Sequence, residues 1–233
     1  MGRLLFISDI HGCFNSFEAL LQELDFQLED HLYILGDLID KGPDSRAVIE
    51  KIIYLIAEGY HIVSLKGNHE DMFLDGYESI EKEQRWKKGG GQMMLSNYGI
   101  DTIHDIPPAV KKIIQDMPLY LEVEDVILVH AGFNFDAGTP FQDKHALLWI
   151  RDWYEKIDKD WLGDRVVVHG HTPQALSSIQ SRLHHLDSLP VLNIDGGCFM
   201  GNKNPDFGHL VAVDWTNKKL ISVKNCEAVS MAI

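Results

Sequence analysis

Short apolar runs recur along this chain, and most end at a polar residue beside a glycine. Residues 3–8 lead to Asp9-Ile10-His11-Gly12, and residues 31–35 to Gly36-Asp37-Leu38-Ile39-Asp40-Lys41-Gly42-Pro43. Residues 62–65 lead to Gly67-Asn68-His69-Glu70. Continuous apolar runs bounded by turn residues read as strands buried on both faces. Between them the period lengthens to that of a helix, at Phe17, Leu20, Leu21 and Leu24 and again at Val48, Ile49, Ile52, Ile53 and Ile56. Asn15 or Ser16 caps the first helix, and Asp44 or Ser45 the second. Strands alternating with helices predict an α/β fold.

The pattern continues through the second half. Residues 70 to about 117 read as helical, interrupted at Gly89-Gly90-Gly91 (a plain linker first, a loop or hinge second) and at Pro107-Pro108. Strands at 119–123 and 126–129, joined by a tight turn at Glu124-Asp125, deliver His130-Ala131-Gly132. Residues 131–143 are a loop, and the apolar run 147–151 closes on Arg151. A strand at 165–168 delivers His169-Gly170-His171-Thr172, and late strands at 191–194, 209–214 and 220–223 complete the second half of a sandwich. Nothing divides residues 1–233 into more than one domain.

Five strand ends thus carry His, Asp or Asn with Gly, at the sheet edge where open α/β folds place their sites. In extended chain, residues i and i+2 share a face. Asp9 and His11 can therefore point at one object, and so can His169 and His171.

Charge narrows the partners. With 21 basic and 35 acidic residues the net charge is 21 − 35 = −14, which disfavours nucleic acid and anionic membranes. A phosphate ligand would need local cations, and bound metal ions supply them. The three cysteines (Cys13, Cys198, Cys226) have no metal-finger spacing and an odd count, against a disulfide framework. No signal peptide and no membrane-spanning run are visible, and a cytoplasmic location is expected. His184 and His185 read as surface residues.

The strand-end donors are carboxylates, one amide and several imidazoles, a mixture that suits manganese, iron or zinc. Six or more are too many for one tetrahedral zinc and suit a pair of ions about 3.5–4 Å apart. Such a pair needs a bridging carboxylate and a neutral ligand, which Asn68 would provide.

Together the five segments resemble the calcineurin-like metallophosphoesterase superfamily, specifically the bacterial or phage type of its phosphoprotein phosphatase branch. The resemblance implies an α/β sandwich of two mixed sheets flanked by helices. It implies a serine/threonine protein phosphatase acting by in-line attack of a hydroxide bridging two divalent metals, manganese first, with iron or zinc as alternatives. Asp9 and His11 would bind the first ion, Asp37 would bridge, and Asn68, His130 and His171 would bind the second. His69 would protonate the leaving oxygen, with Asp40 orienting its imidazole. His169 would support the site from behind, and Asp195 would be structural.

Lys41 stands where the family has an Arg that grips phosphate, and a point charge does not copy that fork. Arg46 or Arg151 would compensate, and Arg151, in its Leu-Trp-Ile-Arg setting, matches a second phosphate-binding Arg. Asn68, Lys41 and Arg151 are therefore the expected substrate contacts, and the expected substrate is a phosphoprotein or phosphopeptide. The alternative is a dinucleoside polyphosphate such as diadenosine tetraphosphate, since that branch shares nearly all the metal motifs. A non-catalytic phosphate-binding scaffold would be expected to lose ligands that are all in place here.

Overall fold

The computed structural model describes residues 2–203 and 206–227. In chain order the elements are β1 Leu4–Ile7, α1 Phe14–Glu23, β2 His31–Ile34, α2 Ser45–Ala57, β3 His61–Ser64, α3 Asn68–Asp75 and α4 Ile80–Trp86. Next come α5 Gln92–Tyr98, α6 Pro108–Asp116, β4 Tyr120–Val123, β5 Val126–Val129, α7 Lys144–Trp149 and α8 Lys159–Leu162. The chain closes with β6 Val166–His169, α9 Leu176–Leu183, β7 Val191–Asn193, β8 His209–Asp214 and β9 Lys219–Lys224.

Two mixed sheets are flanked by helices, as expected of a calcineurin-like fold. One has the order β3-β2-β1-β8-β9 and the other β4-β5-β6-β7. β1, β2 and β3 are parallel, as are β5, β6 and β7, so the C-terminal ends within each set share an edge. One expectation fails. β8 and β9 do not complete the second half of the sandwich; β8 pairs antiparallel with β1 and extends the first sheet. Strand pairing across some two hundred residues leaves no trace in a local apolar pattern.

β1, β5 and β7 are buried on both faces, and strand alternation assigns each face. Phe6 points between the sheets with Val126, Leu128, Val168 and Leu192. Leu5 and Ile7 point outward against Phe17 and Leu20 of α1 and Val48 and Ile52 of α2. On the far side of the second sheet, Ile127 and Val129 pack with Phe133 and Trp153. Asp44 caps α2 through a bond from the Ala47 N–H, as its position suggests. α1 instead begins after Cys13, with no side-chain cap.

The triple glycine is not a plain linker. Lys87–Gly91 join α4 to α5 across a kink, with Gly90 at φ 127. A Cβ on Gly91 would enter the Trp86 indole, and one on Gly90 would lie 2.6 Å from the Lys41 nitrogen. The missing side chains let this turn pack directly against the loop after β2.

Candidate active site

All five polar strand ends converge at the shared edge. Asp9–Gly12 follow β1, Gly36–Gly42 follow β2, and Asn68 and His69 open α3 just past β3. His130 follows β5 directly, and His171 lies two residues past the end of β6. The backbone there is strained. Of the eight non-glycine residues at positive φ among the described residues, five are His11, Asp37, Asp40, Lys41 and His171. Such conformations cost about 1–3 kcal/mol each and persist where the surroundings enforce them.

That strain breaks the simple alternation expected for the motifs. His171 has φ 70 and turns away from its strand direction. Its Nδ1 lies 3.0 Å from Asn68 Oδ1, while His169 turns to Tyr154, whose hydroxyl lies 2.6 Å from His169 Nε2. The two histidines therefore do not face one object, and His171 is the one that reaches the cluster.

Potential ligand atoms gather in two groups that share Asp37: His11, Asp37 and His69, and Asp9, Asp37 and His130. His11 Nε2 lies 3.3 Å and His130 Nε2 3.5 Å from the Asp37 oxygens. Asn68 Oδ1 joins the second group, 2.9 Å from His130 Nε2. Asp9 groups with Asp37 and His130, and the Ser8 hydroxyl and the His171 N–H both donate to its carboxylate. Tautomers are fixed from behind: His11 Nδ1 meets the Ile39 carbonyl at 3.0 Å and His130 Nδ1 the Leu35 carbonyl at 2.8 Å.

His69 has a separate partner. Its Nδ1 is 2.8 Å from Asp40 Oδ2, and the Trp86 indole N–H donates to the same carboxylate at 3.0–3.1 Å. The Asp40 side chain is fully buried. Burial holds the Asp40 carboxyl well above the usual range and the His69 imidazole below its own. Nε2 of His69 faces Asp37 at 4.0 Å.

Glu70 is the residue the motifs left without a role. Fully buried, it accepts the N–H groups of Gly67 and Asp37 at 2.8 Å through Oε2, and that of Leu38 at 2.8 Å through Oε1. It ties the β2 and β3 loops together. Burial and the neighbouring Asp37 push its carboxyl up to about 7, against the pull of those N–H groups. The available signal was its place three residues after Gly67 at a helix start, the capping-box spacing.

At the rim, Lys41 Nζ lies over the Phe199 ring and 2.9 Å from His11 Nε2. Arg151 is exposed and donates to Thr172 Oγ1 at 3.0 Å, beside His171. Arg46 is not at the site; it pairs with Glu50 on α2 and lies over Tyr98. Asp195 is buried and accepts the Gly197 N–H at 2.8 Å, outside both ligand groups.

The residues fit a pair of cations. Burial depresses His11 strongly and His171 to about 2, which keeps these imidazoles neutral, as ligands must be. Burial and the charge of Asp9 lift Asp37 to about 6, against the pull of His69, so the carboxylates crowd in a way that bound positive charge relieves.

Known proteins give the same answer for the family. A family model for calcineurin-like phosphoesterases matches residues 2–206. The chain is 28% identical over 247 aligned residues to the asymmetrical bis(5′-nucleosyl)-tetraphosphatase PrpE of Oceanobacillus iheyensis, covering 93% of this chain and 90% of that one. It is 29% identical over 195 residues to serine/threonine-protein phosphatase 1 of Salmonella typhimurium, covering 79% and 85%. A solved structure described as a candidate diadenosine tetraphosphatase superposes with a TM-score of 0.64 at 22% identity, covering 97% and 95%, and so shares the fold. With two ligand groups sharing Asp37 at the joint edge of two mixed sheets, the chain belongs to the calcineurin-like phosphoesterase family.

Proposed function

We propose that this chain is a dinucleoside polyphosphate hydrolase that splits diadenosine tetraphosphate or a close relative. The observation that carries this reading is the near end-to-end similarity to an asymmetrical tetraphosphatase, over 93% of this chain. The serine/threonine phosphatase reading, first on the motifs alone, becomes second; the Salmonella relative favours it over a shorter span. The metal motifs are common to both and do not separate them.

Two divalent ions, manganese first, are assigned to Asp9, His11, Asp37, Asn68, His130 and His171. Bound there, they would neutralise phosphate charge and make water a nucleophile at neutral pH. Asp37 is shared by the two groups, and the neutral Asn68 keeps the site from becoming too anionic to admit phosphate. His69 would give a proton to the departing oxygen from Nε2, while Asp40, fixed by Trp86, orients the ring. Arg151 and Lys41 bind the non-bridging oxygens from the rim.

The test is metal-stripped protein reloaded with manganese and given diadenosine tetraphosphate. Turnover that appears only on reloading is expected. Two ions bound with no turnover of the dinucleotide would remove this reading.

A further inference from the structure

A continuous row of hydrogen bonds runs from Tyr154 to Asp9. The Tyr154 hydroxyl meets Nε2 of His169 at 2.6 Å, and Nδ1 of that ring meets the Gly170 carbonyl at 3.0 Å. The same peptide unit carries the His171 N–H, which donates to the Asp9 oxygens at 3.1–3.2 Å. A carbonyl only accepts, so Nδ1 of His169 holds the hydrogen and Nε2 is left to accept from the tyrosine. Every member thus donates in one direction, from phenol through imidazole and peptide to carboxylate. Hydrogen bonds arranged in this way polarise one another.

The row has little freedom to move. His169 is buried, with the rings of Trp153 and Tyr154 at 5.5 and 5.6 Å from its own. The Gly170 N–H donates to the His130 carbonyl at 2.9 Å. A Cβ on Gly170 would enter the Asp9 carboxylate, so a side chain there has no room. His171, at φ 70, keeps a conformation that its surroundings must enforce. Two groups grip the peptide that precedes it: Asp9 at the N–H and His169 at the carbonyl.

These contacts favour one part of the site. The segment after α7 backs the loops that carry His130 and His171. The Trp153 indole N–H donates to the Ala131 carbonyl at 3.2 Å, one residue past His130. Arg151 donates to Thr172 Oγ1, one residue past His171, and the Trp149 ring meets the His171 ring at 6.2 Å. Asp9, at the end of the row, groups with Asp37 and His130. The His11 ring is held elsewhere, with Nδ1 on the Ile39 carbonyl of the β2 loop.

Resting on the dimetal assignment and independent of which phosphoester is the substrate, we propose that Tyr154 is a positioning residue for one cation of the pair, the one nearest His130 and His171. Its hydroxyl fixes the His169 tautomer, His169 fixes the Gly170–His171 peptide, and that peptide places both His171 and Asp9. Removing a partner that stands behind a ligand costs about 10–100-fold in metal affinity. Here the loss falls on one ion, because the row does not reach His11.

The experiment titrates manganese into metal-stripped protein by calorimetry and follows the same samples by electron paramagnetic resonance. Tyr154→Phe keeps the ring and loses only the hydroxyl. One ion should bind it as it binds wild type, and the other should bind about 10–100-fold more weakly. At two equivalents of manganese, wild type should give the spectrum of a coupled pair and the variant that of isolated ions. A hydroxyl that merely fills its place would leave both ions unchanged or weaken both alike, and either result overturns the proposal. His169→Ala should show the same one-ion defect, with Tyr154→Phe adding little to it. Additive losses would break the row, and if His169→Ala does not fold, Tyr154→Phe alone decides. Wild-type protein that takes up fewer than two ions would remove the dimetal assignment itself, and this role of Tyr154 with it.

Discussion

Glu70 accepts the backbone N–H of Asp37 at 2.8 Å, so the residue shared by both ligand groups is placed by a carboxylate from the neighbouring helix start. The same carboxylate accepts from Gly67 and Leu38, and no solvent reaches it. Glu70→Gln keeps the shape but turns one acceptor into a donor facing those N–H groups. An unsatisfied buried group costs about 1–3 kcal/mol. Expected are a lower Tm and a lower metal content after dialysis against chelator, the first read by thermal melting and the second by elemental analysis. Wild-type metal retention would mean that Asp37 holds its place without this support.

The proton-donating role of His69 predicts a dependence on leaving group. His69→Ala should slow phenyl phosphate by about a hundred- to ten-thousand-fold, the usual worth of a general acid. The loss on p-nitrophenyl phosphate should be much smaller, because nitrophenolate departs without a proton. Equal losses on both would assign His69 to metal binding, with which its distance to Asp37 is also compatible.

Arg151→Ala should raise KM by roughly ten- to a hundredfold, the value of a charge-assisted hydrogen bond to phosphate. Metal content should stay normal, because Arg151 lies outside both ligand groups. Unchanged kinetics would exclude it from the site.

Gly91→Ala drives a methyl into the Trp86 indole, and Trp86 is what holds Asp40 from behind His69. Overpacking of this kind costs about 1–3 kcal/mol. The kcat should fall as well, and that fall should largely vanish in a His69→Ala background, since the two changes act on one unit. Additive effects in the double variant would break the link from glycine turn to acid.

The strands that deliver the site were legible because each is a short apolar run ending in a Gly-flanked polar residue, a purely local signal. The separate directions of His169 and His171 were not, because the alternation rule assumes extended backbone and His171 has φ 70. The place of β8 and β9 was equally hidden, since their partner β1 lies at the other end of the chain. Gly89-Gly90-Gly91 read as a linker because composition alone does not say what a missing side chain makes room for; here it is Trp86 and the Lys41 backbone. Glu70 was visible as an acid and as the third residue after Gly67, but its N–H partners on the β2 loop come from tertiary structure.

The most direct measurement compares kcat/KM for diadenosine tetraphosphate and a phosphoserine peptide on the same manganese-loaded protein. A dinucleotide value higher by about tenfold or more is expected, equivalent to one or more additional binding contacts. A peptide value higher by the same margin would contradict the proposed substrate and make the chain a protein phosphatase built on the same ligand groups.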